Sequence, residues 1–209
     1  MEKVQYRKIE KSDYEIVKKL ICEAFKFNEF LSDKKVLDSI LTLYLQGCIM
    51  DSSYSQVAVK DNKVIGIILG NSKSDKKKLR KFHNITSSLS SLCRLAFSSK
   101  ANKKLLKEFT KIQNVYKEII KGKENNFQGS VQLFIVSTES RGLGVGKTLM
   151  TNLLDYMKVN DVKSLYLYTD DRCNYGFYDS QNFRREAEKL MNFNAVSTKL
   201  EVYLYSYTF

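Results

Sequence analysis

Two periodicities alternate along the chain. VQYRKI (Val4 to Ile9) alternates apolar and polar positions and predicts a first strand. Over residues 13–25, Ile16, Val17, Leu20, Ile21 and Ala24 return at helical spacing, with Asp13 as the candidate cap. A second helix is predicted over Asp33 to Gln46. SQVAVK (Ser55 to Lys60) and KVIGIILG (Lys63 to Gly70) flank Asp61-Asn62, the pattern of a hairpin. Two further helical patterns follow. Ile85 to Phe97 sets Leu89, Leu92, Cys93 and Ala96 on one face. Lys103 to Lys121 sets Leu105, Leu106, Phe109, Ile112, Tyr116, Ile119 and Ile120 in a broad stripe opposite its lysines. LFIV (Leu133 to Val136) is an apolar run of strand length. KTLMTNLLDYMKV then places Leu149, Met150, Leu153, Leu154 and Met157 at helical spacing, and KSLYLYTD (Lys163 to Asp170) alternates as another strand. A short helix is expected within 171–183, and RREAEKL and LEVYLYSYTF predict a closing pair of strands. The order β-α-α-β-β, helical insertion, β-α-β-α-β-β predicts an α+β fold, a sheet flanked by helices, as one domain over 1–209. The insertion, at about 71–128, falls between the third and fourth strands.

Composition narrows the function classes. At 43% hydrophobic and 12% aromatic the 209 residues suffice for a sizeable core. No apolar run is long enough to cross a bilayer, and MEKVQYRKIEKSD lacks the apolar region of a leader, so a cytoplasmic protein without a membrane partner is expected. Cys22, Cys48, Cys93 and Cys173 form no C-x-x-C pair and read as reduced thiols. With His83 as the single histidine, a Ser-His-Asp triad or a multi-histidine metal centre is not expected. The net charge of +12 is concentrated: residues 71–128 hold 15 Lys/Arg against 4 Asp/Glu, leaving +1 for the rest. Such a segment is either a lid that favours an acidic or phosphate-bearing ligand or a solvated lysine face on helices that pack by their apolar stripe. A basic patch also keeps nucleic-acid binding open as an alternative, although no helix-turn-helix or RNA motif supports it.

The candidate chemistry lies in RGLGVGKT, Arg141 to Thr148. A P-loop would need its first glycine at position 141, which is Arg141, and a dinucleotide fingerprint would need its third at Lys147. Both fail by one residue. The physical setting remains: strand, glycine turn, helix. Glycines allow positive φ and close backbone approach. The first helical N–H groups have no internal partner and carry the positive end of the dipole, which makes an anion site.

An apolar strand ending in RGLGVG, a strand ending in YTDD, and CNYGFYDSQNF come in that order. Together they resemble the GNAT superfamily of acyl-CoA-dependent N-acyltransferases. Arg141, Gly144 and Gly146 match the family's Arg/Gln-x-x-Gly-x-Gly/Ala motif, and Asn174, Phe177, Tyr178 and Phe183 match its later one. Asn182 departs from the usual glycine, but asparagine tolerates positive φ. The resemblance covers residues 128–185 well and implies a central mixed, mostly antiparallel sheet. It implies acetyl-CoA as co-substrate with no metal, and a small-molecule or peptide amine as acceptor. Phe134, Ile135 and Val136 would bind the pantetheine arm through their backbone. The N–H groups of Gly142, Leu143, Gly144, Val145, Gly146 and Lys147, with Arg141 at the rim, would hold the pyrophosphate. Tyr178 would be the general acid, and Asn174 would contact the cofactor or cap a helix. Among carboxylates, Glu139 is a candidate base, while Asp170 and Asp171 are expected to cap the following helix and Cys173 to pack. A regulatory protein that binds the cofactor without turnover is the remaining alternative. The apolar VYLYSYTF strand suggests pairing with a second copy at a sheet edge.

Overall fold

A computed structural model describes residues 3–29, 31–77, 79, 84–193 and 198–209. Seven strands form one sheet: β1 (Gln5–Arg7), β2 (Tyr54–Lys60), β3 (Lys63–Ser72), β4 (Gly129–Val136), β5 (Ser164–Asp170), β6 (Arg184–Phe193) and β7 (Thr198–Thr208). Their spatial order is β1-β2-β3-β4-β5-β7-β6. Every neighbouring pair is antiparallel except β4 and β5. Among the described residues the α-helices are α1 (Tyr14–Ala24), α2 (Lys34–Met50), α3 (Ile85–Ala96), α4 (Lys100–Ile120), α5 (Val145–Val159) and α6 (Gly176–Ser180). This is the predicted α+β order, with α3 and α4 inserted between β3 and β4. Asp61 and Asn62 both take positive φ in the β2–β3 hairpin, as a tight Asp-Asn turn requires.

Two cores lie on opposite faces of the sheet. One gathers α1, α2 and α4 around Ile21, Leu45, Ile49, Ile67, Leu69 and Leu133. The other gathers α5 and α6 around Leu149, Met150, Leu153, Met157, Leu165 and Leu167. Four fully buried residues of α5, Leu149, Met150, Leu153 and Met157, each contribute about 1.5–3 kcal/mol by leaving water. The helix rests directly on β3: a Cβ at Gly70 would stand 2.5 Å from Leu153 Cδ1.

Three sequence expectations change. Asp13 does not cap α1 with its side chain; it is drawn into a two-pronged pair with Arg7, at 2.7 and 2.8 Å, and accepts the N–H of Glu10. Asp33 does cap α2, accepting from the N–H groups of Lys35 and Val36. In α3 the expected apolar face is turned outward: Leu89, Leu92, Cys93 and Ala96 are exposed, while Ser91 and Leu95 are buried. The helix packs on α2 through its other side, where Arg94 donates to Ser39 Oγ. Finally, β7 is bordered by β5 on one side and β6 on the other, so VYLYSYTF has no free edge for a second copy. Much of the basic stretch, Lys78 and 80–83 with His83, lies outside the described residues, as do the side chains of Leu105 and Phe109 in the α4 stripe.

Candidate active site

The glycine loop forms where β4 ends. Gly142 and Gly144 take φ of +83° and +73°, a conformation that other residues adopt at a cost. A Cβ on either would meet nothing within 4 Å, so the backbone faces open space. The left-handed Gly144 is the N-cap of α5, which begins at Val145, two residues before the position expected from sequence. The first turn of the helix is closed by the N–H of Thr148, which donates to the carbonyl of Gly144 at 3.0 Å. The N–H groups of Val145, Gly146 and Lys147 precede it and point out of the helix end. Arg141 and Lys147 are exposed at the rim. The loop therefore fits a diphosphate by backbone donors, dipole and charge together.

Gly146 joins three elements. Its Cα packs where a Cβ would lie 3.5 Å from both Phe134 and Phe177 and 3.6 Å from Val136. Phe134 of β4 and Phe177 of α6 meet at 5.3 Å between ring centres. The sequence motifs, about thirty residues apart, thus converge on one place.

Beside the loop the sheet opens. β4 and β5 pair only at Gly129–Leu165 and Ser130–Tyr166. Beyond that row, Val131 to Val136 and Leu167 to Asp170 have no partner across the gap, which leaves Phe134, Ile135 and Val136 on its wall. The register of β4 against β3 skips Gln132, between Leu69–Leu133 and Gly70–Val131. The carbonyl of Gln132 accepts the Cys48 thiol at 3.6 Å.

Tyr178 is 9% exposed, ringed by Phe134, Phe177, Phe183 and Tyr205 at 5.7–6.3 Å. Burial pushes its phenol far above the ordinary range, helped by the charges of Cys173, Asp170 and Tyr205, so it is protonated at neutral pH. Its helix is tied down by Tyr205, whose hydroxyl donates to Asp179 and accepts from Arg185. After the helix Asn182 takes φ of +62°, the turn expected where glycine is usual. Asn174 is exposed and does not cap α6, whose N-cap is Tyr175. Glu139 is an exposed residue of the short turn after β4.

On the other face of the gap lies a cavity of about 660 Å³. Phe25, Phe27, Tyr44 and Cys48 close it from α1 and α2 and the turn between them. Val131 and Gln132 of β4, Tyr168 and Asp170 of β5, and Cys173 line its floor. The inserted α4 forms a wall with Leu106, Thr110, Ile112, Gln113 and Tyr116, all uncharged, and among the described residues no lysine of α4 lines the cavity. Asp170 does not cap a helix: it accepts the N–H of Arg172 at 2.9 Å and faces the cavity. Asp171 accepts the N–H of Glu201 instead. Burial raises the Cys48 and Cys173 thiols to about 12, which keeps them protonated and poor nucleophiles. The cavity is what sequence reasoning missed. Its one available signal was the alternation in LYLYTD, which puts Tyr166, Tyr168 and Asp170 on the face opposite Leu165 and Leu167.

No helix of the described residues is long and apolar enough to cross a membrane. Residues 109–183 match the model of the acetyltransferase (GNAT) family, the span that contains the loop, the parted strands and α6. No sequence among curated proteins matches the chain. Among solved structures, the fold is shared with ribosomal-protein-alanine N-acetyltransferase from Brucella melitensis (14% identity, TM-score 0.57, 98% of this chain and 99% of that one). It is shared also with Ard1 from Thermoplasma volcanium (17%, 0.54, 98% and 97%). A third is yncA from Salmonella typhimurium, described as an acetyltransferase and solved with its cofactor acetyl-CoA (11%, 0.57, 99% and 94%).

Proposed function

We propose that this chain, whose residues 109–183 match the acetyltransferase (GNAT) family model, moves an acetyl group from acetyl-CoA to a primary amine. The observation that carries the reading is the parting of β4 from β5 beside a glycine loop whose backbone opens onto free space. Diphosphate oxygens would sit on the N–H groups of Gly142 and of residues 144–147, the Leu143 N–H being donated to the Ser140 carbonyl at 3.4 Å, with Arg141 and Lys147 supplying charge. The pantetheine arm would replace β5 as the hydrogen-bonding partner of Phe134 to Val136. Asn174, exposed beside α6, is a further cofactor contact on this reading.

The chemistry is a direct transfer. The neutral amine nitrogen attacks the thioester carbonyl carbon, the C–S bond breaks, and the departing thiolate takes a proton. Tyr178 is the proposed donor. Its phenol is held protonated, and its helix is fixed by Asp179 and Tyr205. General acid catalysis of this kind contributes roughly 10²–10⁴-fold.

Calorimetric titration with acetyl-CoA, with ATP and NAD as controls, tests the reading. Micromolar binding of acetyl-CoA alone is expected, weakened at least about tenfold in Gly144→Asp, whose carboxylate would face the phosphates. Equal binding of all three nucleotides, or of none, would sink it.

A further inference from the structure

The cavity beneath α4 has a composition of its own, and it specifies an acceptor. We infer that the acceptor is a primary amine carried on an aromatic body, seated among Phe25, Phe27, Tyr44, Tyr116 and Tyr168 with its ammonium group against Asp170. The inference rests on the acetyl-transfer reading above.

Two aromatic groups face the space from different elements. Phe25, Phe27 and Tyr44 meet edge to face, with ring centres 5.7–6.4 Å apart. Tyr116 of the insertion stacks on Tyr168 of β5 at 4.2 Å and 5°, and the Tyr168 hydroxyl donates to the Tyr116 carbonyl, which fixes the pair. Rings of this kind receive another ring edge-on or stacked, with a gain beyond area burial. They also attract a cation. At about 660 Å³ the space suits a small organic molecule.

The charges select the sign. The cations on the cavity wall are both held by Glu29: Arg172 at 3.0 Å and Lys26 at 3.6 Å. Two carboxylates line the space, Asp51 at the end of α2 and Asp170 at the end of β5, and among the described residues Asp170 has no salt bridge. It accepts the Arg172 N–H, and burial raises its pKa above the ordinary value, a cost that a bound cation offsets. Among the described residues no lysine of α4 lines the space, so an anionic acceptor finds no described lysine of that helix there. In the transfer, the ammonium gives one proton to Asp170. The freed lone pair then forms the N–C bond as the C–S bond of acetyl-CoA breaks; the thiolate takes the proton of Tyr178, and the second proton of the nitrogen leaves to solvent, which reprotonates Tyr178.

Calorimetry on the full chain tests this with 2-phenylethylamine, spermidine, trialanine and 2-phenylethanol, each with and without coenzyme A present. Turnover of the three amines is followed with acetyl-CoA. 2-Phenylethylamine is expected to bind at least about tenfold more tightly than spermidine, trialanine or the uncharged alcohol, and to have the highest kcat/KM. Asp170→Asn should remove the preference for the amine over the alcohol, and Tyr116→Leu the preference for the ring. Both variants should keep the acetyl-CoA affinity, which certifies their fold. A preference for spermidine or trialanine, or no binding of 2-phenylethylamine, overturns the inference while acetyl-CoA binding stands. Failure of acetyl-CoA to bind overturns the transfer reading instead, and the amine titrations still report on the cavity.

Discussion

Tyr178 carries two separable properties, a ring packed against four others and a hydroxyl proposed to donate a proton. Tyr178→Phe keeps the ring. It should leave the unfolding free energy from urea titration within about 1 kcal/mol of the parent while kcat falls roughly 10²–10⁴-fold; an unchanged kcat would show that the ring only packs. A second residue-level outcome concerns pH. Burial alone would raise the Asp13 carboxyl, but the hydrogen bonds from Arg7 and the Glu10 N–H, with the Arg7 charge, hold it below its ordinary value. A depressed folded pKa stabilises above the unfolded value of about 3.9 and loses that contribution as pH falls through the folded one. Asp13→Asn should therefore cost about 1–3 kcal/mol at pH 7, with the difference from the parent shrinking toward pH 3. Urea titrations at both pH values read it directly. A gap that stays constant with pH would deny the pair its role.

At the scale of elements, the contact of α5 with β3 is the tightest joint near the loop. Gly70→Ala forces a methyl against Leu153 and should destabilise by about 1–3 kcal/mol. Acetyl-CoA affinity should fall with it if the helix end is displaced; a stable variant with full affinity would show that the joint has slack. The same joint shows what the sequence could tell. The strand, glycine turn and helix were legible because local periodicity and positive-φ glycines specify them without help from distant residues. Asn182 was legible for the same reason. The α3 face was not: Leu89 and Leu92 follow a valid helical stripe, yet α2 receives the helix through Ser91, Leu95 and Arg94. Nor was Asp170, whose orientation depends on where β5 leaves β4. A pattern within one element cannot report which of its faces a distant element will cover.

For the whole molecule, acetyl-CoA should act as a folding ligand. At one hundred times its dissociation constant it adds about 2.7 kcal/mol, a rise in Tm of roughly 5–10 °C for a chain of this length. Scanning calorimetry at increasing concentration would show the rise, and a Tm indifferent to acetyl-CoA would contradict binding to the folded state. The position of β7, bonded on both sides, was beyond sequence because strand order is settled by the whole sheet. The parting of β4 and β5 has a kinetic consequence. The loop lies with α5 on one face of the sheet and the aromatic cavity opens on the other, so the gap is a passage with two mouths. Donor and acceptor can each arrive while the other is already in place, and neither has to leave before its counterpart enters. With both protected thiols unable to store the acyl group between visits, initial-velocity lines at varied concentrations of the two reactants should converge to a common point, not run parallel.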